Sequence, residues 1–361
     1  MDYGQHVLTK NLEYPKYNAK YPQTRYQGSK QKLIEWIGKC ISHFFPSFNS
    51  VLDAFGGTGV VSHYMKLIGK QVFYNDLLKF NYYIGLALIE NDSVLLSDKD
   101  INFILKKHKS ITYPTFIQDT FKDIYYTDDE NVWLDMVVTN IQELDNIYKR
   151  ALAYFALFQS CIIKRPYNLF HRKNLYVRFA KVKRSFGNKT TWDKPFPYYF
   201  KKFARDANMA VFSNCYKNLA YNCDVFEIPY NNYDLVYIDT PYVSANGVGV
   251  DYYHFYHFLE GLVDYDNWHK KIDYSSKHLK LKPKKSVWTD KKRIYYAFDK
   301  LFRKYRDSIL VVSYRSDGIP KKQELFKLLE KYKNEVEVKT TNHKYVLSNK
   351  STVKELLFIG V

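Results

Sequence analysis

Apolar positions along the chain form two kinds of pattern, short unbroken runs and runs spaced three and four residues apart. The unbroken runs are rich in β-branched and aromatic residues and predict buried strands at 51–55, 71–75, 234–238 and 309–313, with 336–338 and 353–359 as a closing antiparallel pair. The spaced runs predict helices at 29–46, 60–69, 79–90 and 321–332. Strands that alternate with helices indicate an α/β fold with a mostly parallel sheet.

This alternation is interrupted between residues 91 and 215, an interval too long for a structureless loop in a compact domain. We therefore predict an inserted lobe there, with an apolar helical stretch at 133–158 in its first half. Its second half is basic and aromatic, and Asp193 is the only acid within 164–205. This composition suits phosphate contacts and base stacking. A solvated basic face over an aromatic core is the alternative, and it explains the scarcity of acids less well.

The net charge of the 361-residue chain is +18, as expected for a protein that binds a polyanion. The four cysteines form no Cys-x-x-Cys pair and lie beside no histidine at metal-ligand spacing. We therefore expect reduced thiols, no metal site and a cytoplasmic location. The first twenty residues lack the apolar core of a signal peptide, and the longest apolar stretch, 151–163, is too short to span a bilayer.

A glycine-rich turn follows the first predicted strand, and an acid follows the second. The turn, from Phe55 to Gly59, allows the backbone to approach a ligand and to adopt positive φ values. Asp76 comes about twenty residues later, where a carboxylate can accept hydrogen bonds from ribose hydroxyl groups. Together these features predict a site for a nucleoside cofactor.

The predicted strand at 234–238 ends at Asp239-Thr240-Pro241-Tyr242. In an open α/β sheet, ligands bind beyond the carboxyl ends of the strands, so Asp239 and Tyr242 are expected to project into a cleft. A buried carboxylate is costly unless it has a partner, which favours a functional role. An ordinary turn built by aspartate and proline explains this stretch equally well when it is taken alone.

Three short motifs resemble those of the D12 class, the Dam-type α group, of S-adenosylmethionine-dependent DNA adenine methyltransferases. The turn at 55–59 resembles the Phe-x-Gly-x-Gly cofactor loop, 239–242 resembles the Asp-Pro-Pro-Tyr motif, and 25–30 is similar to the N-terminal cofactor motif. Their order, with a long insertion before the last, is also that of the family, and the resemblance covers residues 21–361. Thr240 replaces the first proline of the tetrapeptide, which loosens the turn because φ is no longer fixed.

The resemblance implies a Rossmann-like methyltransferase core with a mostly parallel seven-stranded sheet and an inserted DNA-recognition lobe. It places the catalytic core at 1–90 and 211–361, with 243–307 as an active-site loop and basic segment, and the target-recognition domain at 91–210. S-adenosylmethionine is the implied cofactor and double-stranded DNA the implied substrate. The family also suggests the modification enzyme of a restriction-modification system with a cognate restriction endonuclease, and neither a metal nor a membrane partner.

The resemblance also implies roles for individual residues. The cofactor-binding residues are Tyr26, Lys30, Asp53, Phe55, Gly57, Gly59, Asp76 and Asp224. The catalytic residues are Asp239, Thr240, Pro241 and Tyr242. The DNA-binding candidates, taken from the basic interval, are Arg165, Arg172, Lys173, Arg178, Arg184 and Lys189.

The implied chemistry concerns N6 of an adenine flipped out of the duplex. Asp239 accepts one N6–H and the carbonyl of Thr240 or Pro241 accepts the other, while Tyr242 stacks on the base. Lys30 is expected to meet the carboxylate of the cofactor. A solvated lysine at the start of a helix is the alternative for this residue.

Other functions share part of these motifs. Methyltransferases of RNA, of cytosine N4 or of protein glutamine use similar tetrapeptides, but the long basic insertion favours duplex DNA, and Asp239 favours adenine. A nicotinamide-dependent oxidoreductase shares the glycine turn, yet it leaves 239–242 unexplained and has a glycine where Ser62 stands. A DNA-binding relative without catalysis is disfavoured because the glycines, Asp76 and Asp239 are all present.

Overall fold

We describe the protein from a computed structural model, which describes residues 17–44, 47–181, 189–244, 247, 249–343 and 353–361. Strands β1 to β9 of this part of the chain are Ser50–Asp53, Gln71–Asn75, Leu219–Tyr221, Leu235–Ile238, Val243–Ser244, Ile309–Arg315, Gly318–Ile319, Val336–Asn342 and Lys354–Gly360. Helices α1 to α15 are Ile34–Phe44, Val60–Leu67, Lys79–Gly85, Asp98–Ile104, Phe116–Thr120, Asp128–Gln142, Ile147–Ile163, Tyr176–Phe179, Lys189–Asp193, Phe196–Asn208, Tyr252–Phe255, His257–Leu262, Tyr265–Lys271, Ile294–Lys304 and Lys322–Glu330. Short 3₁₀ turns lie at Lys30–Lys32, Pro166–Asn168 and Val287–Thr289, and α3 continues into a π-helical turn at Leu86–Glu90.

The central sheet has seven strands in the order β3-β2-β1-β4-β6-β9-β8. Strands β1, β2, β3, β4 and β6 run parallel, whereas β9 runs antiparallel to both β6 and β8. The prediction of a mostly parallel sheet closed by an antiparallel pair is therefore confirmed. β5 and β7 form a separate two-stranded antiparallel sheet.

Two apolar layers cover the two faces of the sheet and bury its central strands on both sides. One layer contains α14 and α15. The other contains α1 to α3 and runs without a break into the helices of the insertion, where Phe80 of α3 packs edge-on against Phe158 of α7 at 5.6 Å. The insertion therefore shares one hydrophobic core with the sheet.

The segment after the tetrapeptide contains helices as well as loops. Its helix α12 packs against the insertion, since the rings of Phe258 and Phe121 lie 5.2 Å apart and Phe170 N donates to Phe255 O at 2.9 Å. These contacts make this part of the predicted active-site segment at 243–307 an extension of the apolar layer that contains α1 to α3 and the helices of the insertion. The division into a catalytic core and a target-recognition domain stays a prediction.

Within the described ranges, no helix is long and apolar enough to cross a membrane, and no cluster of three or more histidine, cysteine or acidic residues has metal-binding geometry. The four cysteines are free thiols.

Candidate active site

The carboxyl ends of three adjacent parallel strands, β1, β4 and β2, border a cavity of about 440 Å³. Asp53 ends β1, Asp76 follows β2 and Asp239 follows β4, so the sheet topology brings three carboxylates to one cavity. The predicted cofactor and catalytic residues that line it are Tyr26, Lys30, Asp53, Phe55, Gly57, Asp76, Asp224, Asp239, Thr240 and Pro241. Gly59 and Tyr242 do not line it.

The glycine turn between β1 and α2 forms one wall of the cavity. Gly57 and Gly59 have φ values of +51° and +74°, a region that residues with a Cβ atom rarely adopt. A Cβ atom added at Gly57 would meet nothing closer than 3.9 Å, whereas one at Gly56 would lie 2.0 Å from the Tyr74 ring. Gly57 therefore leaves open space at the cavity wall, Gly56 is required by packing, and Gly59 supplies the backbone turn that begins α2.

Asp76 is held against this turn by backbone donors. Gly57 N donates to Oδ2 at 2.9 Å and Leu78 N donates to Oδ1 at 2.8 Å. Burial raises the pKa of the Asp76 carboxyl to about 6, although the two backbone donors oppose the shift. The carboxylate thus has a fixed orientation at the cavity wall.

Asp53 keeps one acceptor atom for another group. Ser62 Oγ donates to Oδ2 at 2.7 Å, whereas Oδ1 is buried and has no hydrogen-bond partner among the described residues. Burial raises the pKa of Asp53 to about 7, and the nearby carboxylates of Asp239 and Asp76 add to the shift that Ser62 opposes. A buried acceptor without a donor is costly, and this atom can accept a hydrogen bond from a ligand in the cavity.

Lys30 is bound to the predicted catalytic aspartate. Its Nζ lies 2.8 Å and 2.7 Å from the two carboxylate oxygens of Asp239 and donates to Tyr242 Oη at 2.6 Å, and the Tyr242 hydroxyl donates to Asp239 at 2.8 Å. Burial lowers the pKa of Lys30, but the attraction of Asp239 and Glu355 outweighs it and the pKa ends above its usual value. Burial also raises the pKa of Asp239, although Lys30 opposes this. We predicted a contact between Lys30 and the cofactor carboxylate; in the structure its ammonium group faces the tetrapeptide.

Glu355 on β9 is a member of this cluster that the sequence analysis missed. It is fully buried, its Oε1 lies 3.5 Å from Lys30 Nζ, and it accepts a hydrogen bond from Ser313 Oγ. The available signal was a single acid at the start of the apolar run 355–359, a position that a buried strand seldom gives to a charge.

Tyr242 and Thr240 are both buried. The Tyr242 ring is 4% exposed and packs edge-on against Tyr314 at 5.4 Å. The Thr240 hydroxyl has no hydrogen-bond partner among the described residues. Stacking of Tyr242 on a flipped base would require its ring to turn toward the cavity, and this role stays a prediction.

Aromatic side chains complete the walls of the cavity. Tyr26 stacks between Tyr252 and Tyr256, with ring centroids 5.6 Å and 4.5 Å away. Trp288 lies edge-on to Phe55 at 5.0 Å and stacks on Phe226 at 5.9 Å. Residues 243–307 were predicted only as an active-site loop and basic segment, and a tryptophan inside that basic stretch was the signal for an aromatic wall.

Two of the predicted DNA-binding residues, Arg165 and Arg178, are buried in this structure and do not lie on an open surface. Arg165 is 1% exposed, and its guanidinium donates to three backbone carbonyls and to Asn174. Arg178 is 6% exposed and forms a paired contact with Glu130 at 2.6 Å and 2.8 Å, where Lys164 also binds. Both arginines satisfy buried acceptors inside the insertion, and composition alone does not distinguish such residues from surface cations.

The other DNA-binding candidates differ in their surroundings. Arg172 and Lys173 are exposed. Lys189 is exposed and paired with Asp193 at 2.6 Å on α9. Arg184 lies outside the described residues.

The fold and the site together are those of an α/β enzyme of the methyltransferase class, with a glycine turn after β1 and a cavity-lining carboxylate after β4. The family model of D12 class N6 adenine-specific DNA methyltransferases matches residues 26–327, and the chain belongs to this family. It is an adenine-specific DNA methyltransferase that uses a methyl donor. The resemblance predicted from the three motifs is therefore confirmed.

Named relatives agree with this assignment. The type II methyltransferase M2.HphI of Haemophilus parahaemolyticus is 30% identical over 357 residues, which cover 95% of this chain and 98% of that protein. The modification methylase StsI of Streptococcus sanguinis is 27% identical over 92% of this chain, and the match covers 50% of the length of StsI. The type II methyltransferase M.FokI of Planomicrobium okeanokoites is 25% identical over 85% of this chain and is matched over 47% of its own length.

Proposed function

We propose that the methyl donor is S-adenosylmethionine, held in the cavity between the glycine turn and the ends of β1, β2 and β4. The residues present fit this molecule. Asp76 stands beside the turn as an acceptor for ribose hydroxyl groups. The unpaired Asp53 Oδ1 fits the ammonium group of the methionine part, and the aromatic wall of Phe226 and Trp288 fits the adenine ring.

When bound, this cofactor supplies an electrophilic methyl group on a sulfonium centre. The chain's own task is to prepare adenine N6, whose lone pair is delocalised into the ring. Asp239 accepts one N6–H and a carbonyl of Thr240 or Pro241 accepts the other, which draws the lone pair out of conjugation and stabilises the positive charge that develops on the nitrogen. The observation that carries this proposal is the position of Asp239 at the end of β4, in the same cavity as the glycine turn.

Asp239 must exchange partners before it can act on adenine, because both of its carboxylate oxygens lie within 2.8 Å of Lys30 Nζ. A buried ammonium group is costly without a counter-charge. We propose that Glu355, 3.5 Å from Nζ, supplies that charge when Lys30 moves away from Asp239. With Lys30, Asp239 and Glu355 all ionised, the cluster carries one net negative charge, which is complementary to a developing cation.

The decisive variant is Asp239→Ala. Methyl transfer from tritiated S-adenosylmethionine to plasmid DNA should be lost, while calorimetry should show cofactor affinity within a few fold of wild type, because the carboxylate acts on the target base. Methylation-sensitive sequencing of DNA from cells expressing the wild-type chain should then locate N6-methyladenine in one sequence context. Turnover close to wild type in Asp239→Ala would remove this residue from the mechanism.

We also propose that the chain is the modification enzyme of a type II restriction-modification system. The support is its match to nearly the whole of M2.HphI, which is named a type II methyltransferase. Plasmid DNA from expressing cells should resist a restriction endonuclease encoded beside the gene, and DNA from cells expressing Asp239→Ala should be cut. Equal cleavage of both DNAs would mean that the two proteins do not share a recognition sequence.

A further inference from the structure

A second cavity, of about 550 Å³, lies outside the reaction cavity and carries no assigned role. One wall is the N-terminal segment that includes Arg25 and Lys32, and the other is the start of α10 with Lys194 before it. Ile163, at the end of α7, joins the two walls. We call this cavity the basic groove, and its lining residues are Gln23, Thr24, Arg25, Gln31, Lys32, Ile163, Lys194, Tyr198, Tyr199, Lys202 and Phe203.

The groove is positively charged and polar. Its lining contains four cationic side chains, those of Arg25, Lys32, Lys194 and Lys202, and no acid. All four are exposed. Asp206, an acid outside the lining, pairs with Lys202 at 2.6 Å on α10. Among the described residues, the other three cations of the groove form no ion pair, and the glutamine and threonine side chains between them add neutral hydrogen-bonding groups.

The groove also offers an aromatic surface. Tyr198 is 48% exposed, and Lys194 Nζ lies 4.6 Å from its ring centroid. The lysine is thereby held over the ring with its charge at the groove. Cations beside an exposed aromatic ring are the features that accommodate a nucleic-acid strand.

The basic groove adjoins the reaction cavity through a single short segment. Lys32 belongs to the same 3₁₀ turn as Lys30, which binds Asp239. Arg25 precedes Tyr26, which lines the reaction cavity, and Arg25 N is fixed by a hydrogen bond to Gln159 at 3.3 Å. A DNA strand whose target base enters the reaction cavity would therefore continue along the groove.

We propose that the basic groove binds the phosphate backbone of the DNA substrate next to the flipped nucleotide. The proposal rests on the assignment of DNA as the substrate and gives that substrate a path between the N-terminal segment and α10. It replaces part of the surface that the buried Arg165 and Arg178 were predicted to provide. Phosphate contacts of this kind position the strand and carry no sequence information.

The test measures the salt dependence of binding to a random-sequence 30-base-pair duplex. Arg25→Gln with Lys32→Gln neutralises one wall, and Lys194→Gln with Lys202→Gln neutralises the other. Each lost phosphate contact should lower the slope of log affinity against log salt by about 0.9. Each double variant loses two contacts. The ratio of wild-type affinity to variant affinity should therefore be about tenfold smaller at 200 mM salt than at 50 mM salt.

The matched control pair is Lys322→Gln with Lys327→Gln. Both lysines are exposed on α15, which packs on the opposite face of the sheet. This pair removes the same charge and should leave the slope and the methylation rate unchanged. Calorimetry with S-adenosylmethionine verifies that the cofactor site survives in each wall variant.

Flattened slopes in both wall pairs, with an unchanged slope in the control pair, would establish the groove as a DNA surface. Unchanged slopes in both wall pairs, or equal flattening in the control pair, would overturn the proposal. In that case the wild-type protein would still methylate plasmid DNA. The test therefore separates an error in the groove proposal from an error in the proposed function.

Discussion

At the scale of single residues, the active site places one cation among several acids, and the role of each acid follows from its partners. Glu355 has Ser313 and Lys30 within reach, whereas Asp239 also faces the cavity. Glu355 is therefore placed to hold Lys30 without touching the substrate. It is a positioning residue in the mechanism proposed above.

Glu355→Gln tests this role. Glutamine keeps an acceptor for Ser313 but removes the counter-charge of Lys30. Lys30 should therefore stay paired with Asp239. We expect turnover to fall about 10- to 100-fold, which corresponds to the free energy of one charge-assisted hydrogen bond. Cofactor affinity should remain within a few fold. Glu355→Asp, which keeps the charge, should recover part of the lost kcat. A kcat equal to that of wild type in Glu355→Gln would show that Lys30 needs no second carboxylate.

Asp53 gives a prediction for pH. Its pKa is raised to about 7 in the folded chain, so the carboxyl holds a proton at pH values where the unfolded chain has lost it. The free energy of unfolding should therefore fall as pH rises from about 4 to about 7, and Asp53→Asn should remove this part of the decline. If the ionised carboxylate receives the ammonium group of the cofactor, affinity for S-adenosylmethionine should rise with pH through about 7 in wild type and less steeply in Asp53→Asn. Parallel pH profiles from calorimetry would place the ammonium group elsewhere.

At the scale of elements, the patterns that were strongest in the sequence were reproduced most closely. The strand predicted at 71–75 is β2, and the antiparallel pair appears as β8 and β9. β3 was missed because it is a three-residue strand with every residue half-buried, which leaves no apolar run to detect. The predicted helix at 133–158 is instead two helices, α6 and α7.

The break between α6 and α7 has a local cause that composition obscured. Asn146 caps the start of α7, and its side-chain oxygen accepts hydrogen bonds from Tyr148 N at 2.8 Å and Lys149 N at 3.2 Å. An asparagine that caps a helix start has a non-helical backbone conformation, so a new helix begins after it. The apolar positions on both sides nevertheless suggest one long helix. The same limit applies to Arg165 and Arg178, since a charge pattern does not reveal which cations fold inward.

Asn146→Ala should therefore destabilise the protein by about 1 kcal/mol, the usual cost of losing an N-terminal cap. Asn146→Asp keeps the acceptor and should retain wild-type stability. Urea unfolding of the three proteins gives the comparison. An unfolding midpoint in Asn146→Ala equal to that of wild type would mean that packing of α7 against α3 and α10 fixes the helix start without the cap.

At the scale of the whole molecule, a chain with a net charge of +18 uses its cations in two ways. Some are buried and stabilise the insertion, as Arg178 does through Glu130. Others, such as Arg172 and Lys173, are exposed and available to phosphates. The two groups should separate in experiments that measure stability and DNA affinity side by side.

Arg178→Gln should destabilise the fold by about 1.5–3 kcal/mol, because it removes a charge-assisted pair of hydrogen bonds and leaves the half-buried Glu130 with Lys164 as its charged partner. Arg172→Gln with Lys173→Gln should leave the thermal unfolding temperature unchanged and lower the salt slope of duplex binding by about 0.9 per lost contact. Thermal unfolding and anisotropy titrations on the same preparations measure both quantities. If Arg178→Gln instead unfolded like wild type and flattened the salt slope, its pairing with Glu130 would have to open when DNA binds, and the arginine would return to the DNA surface.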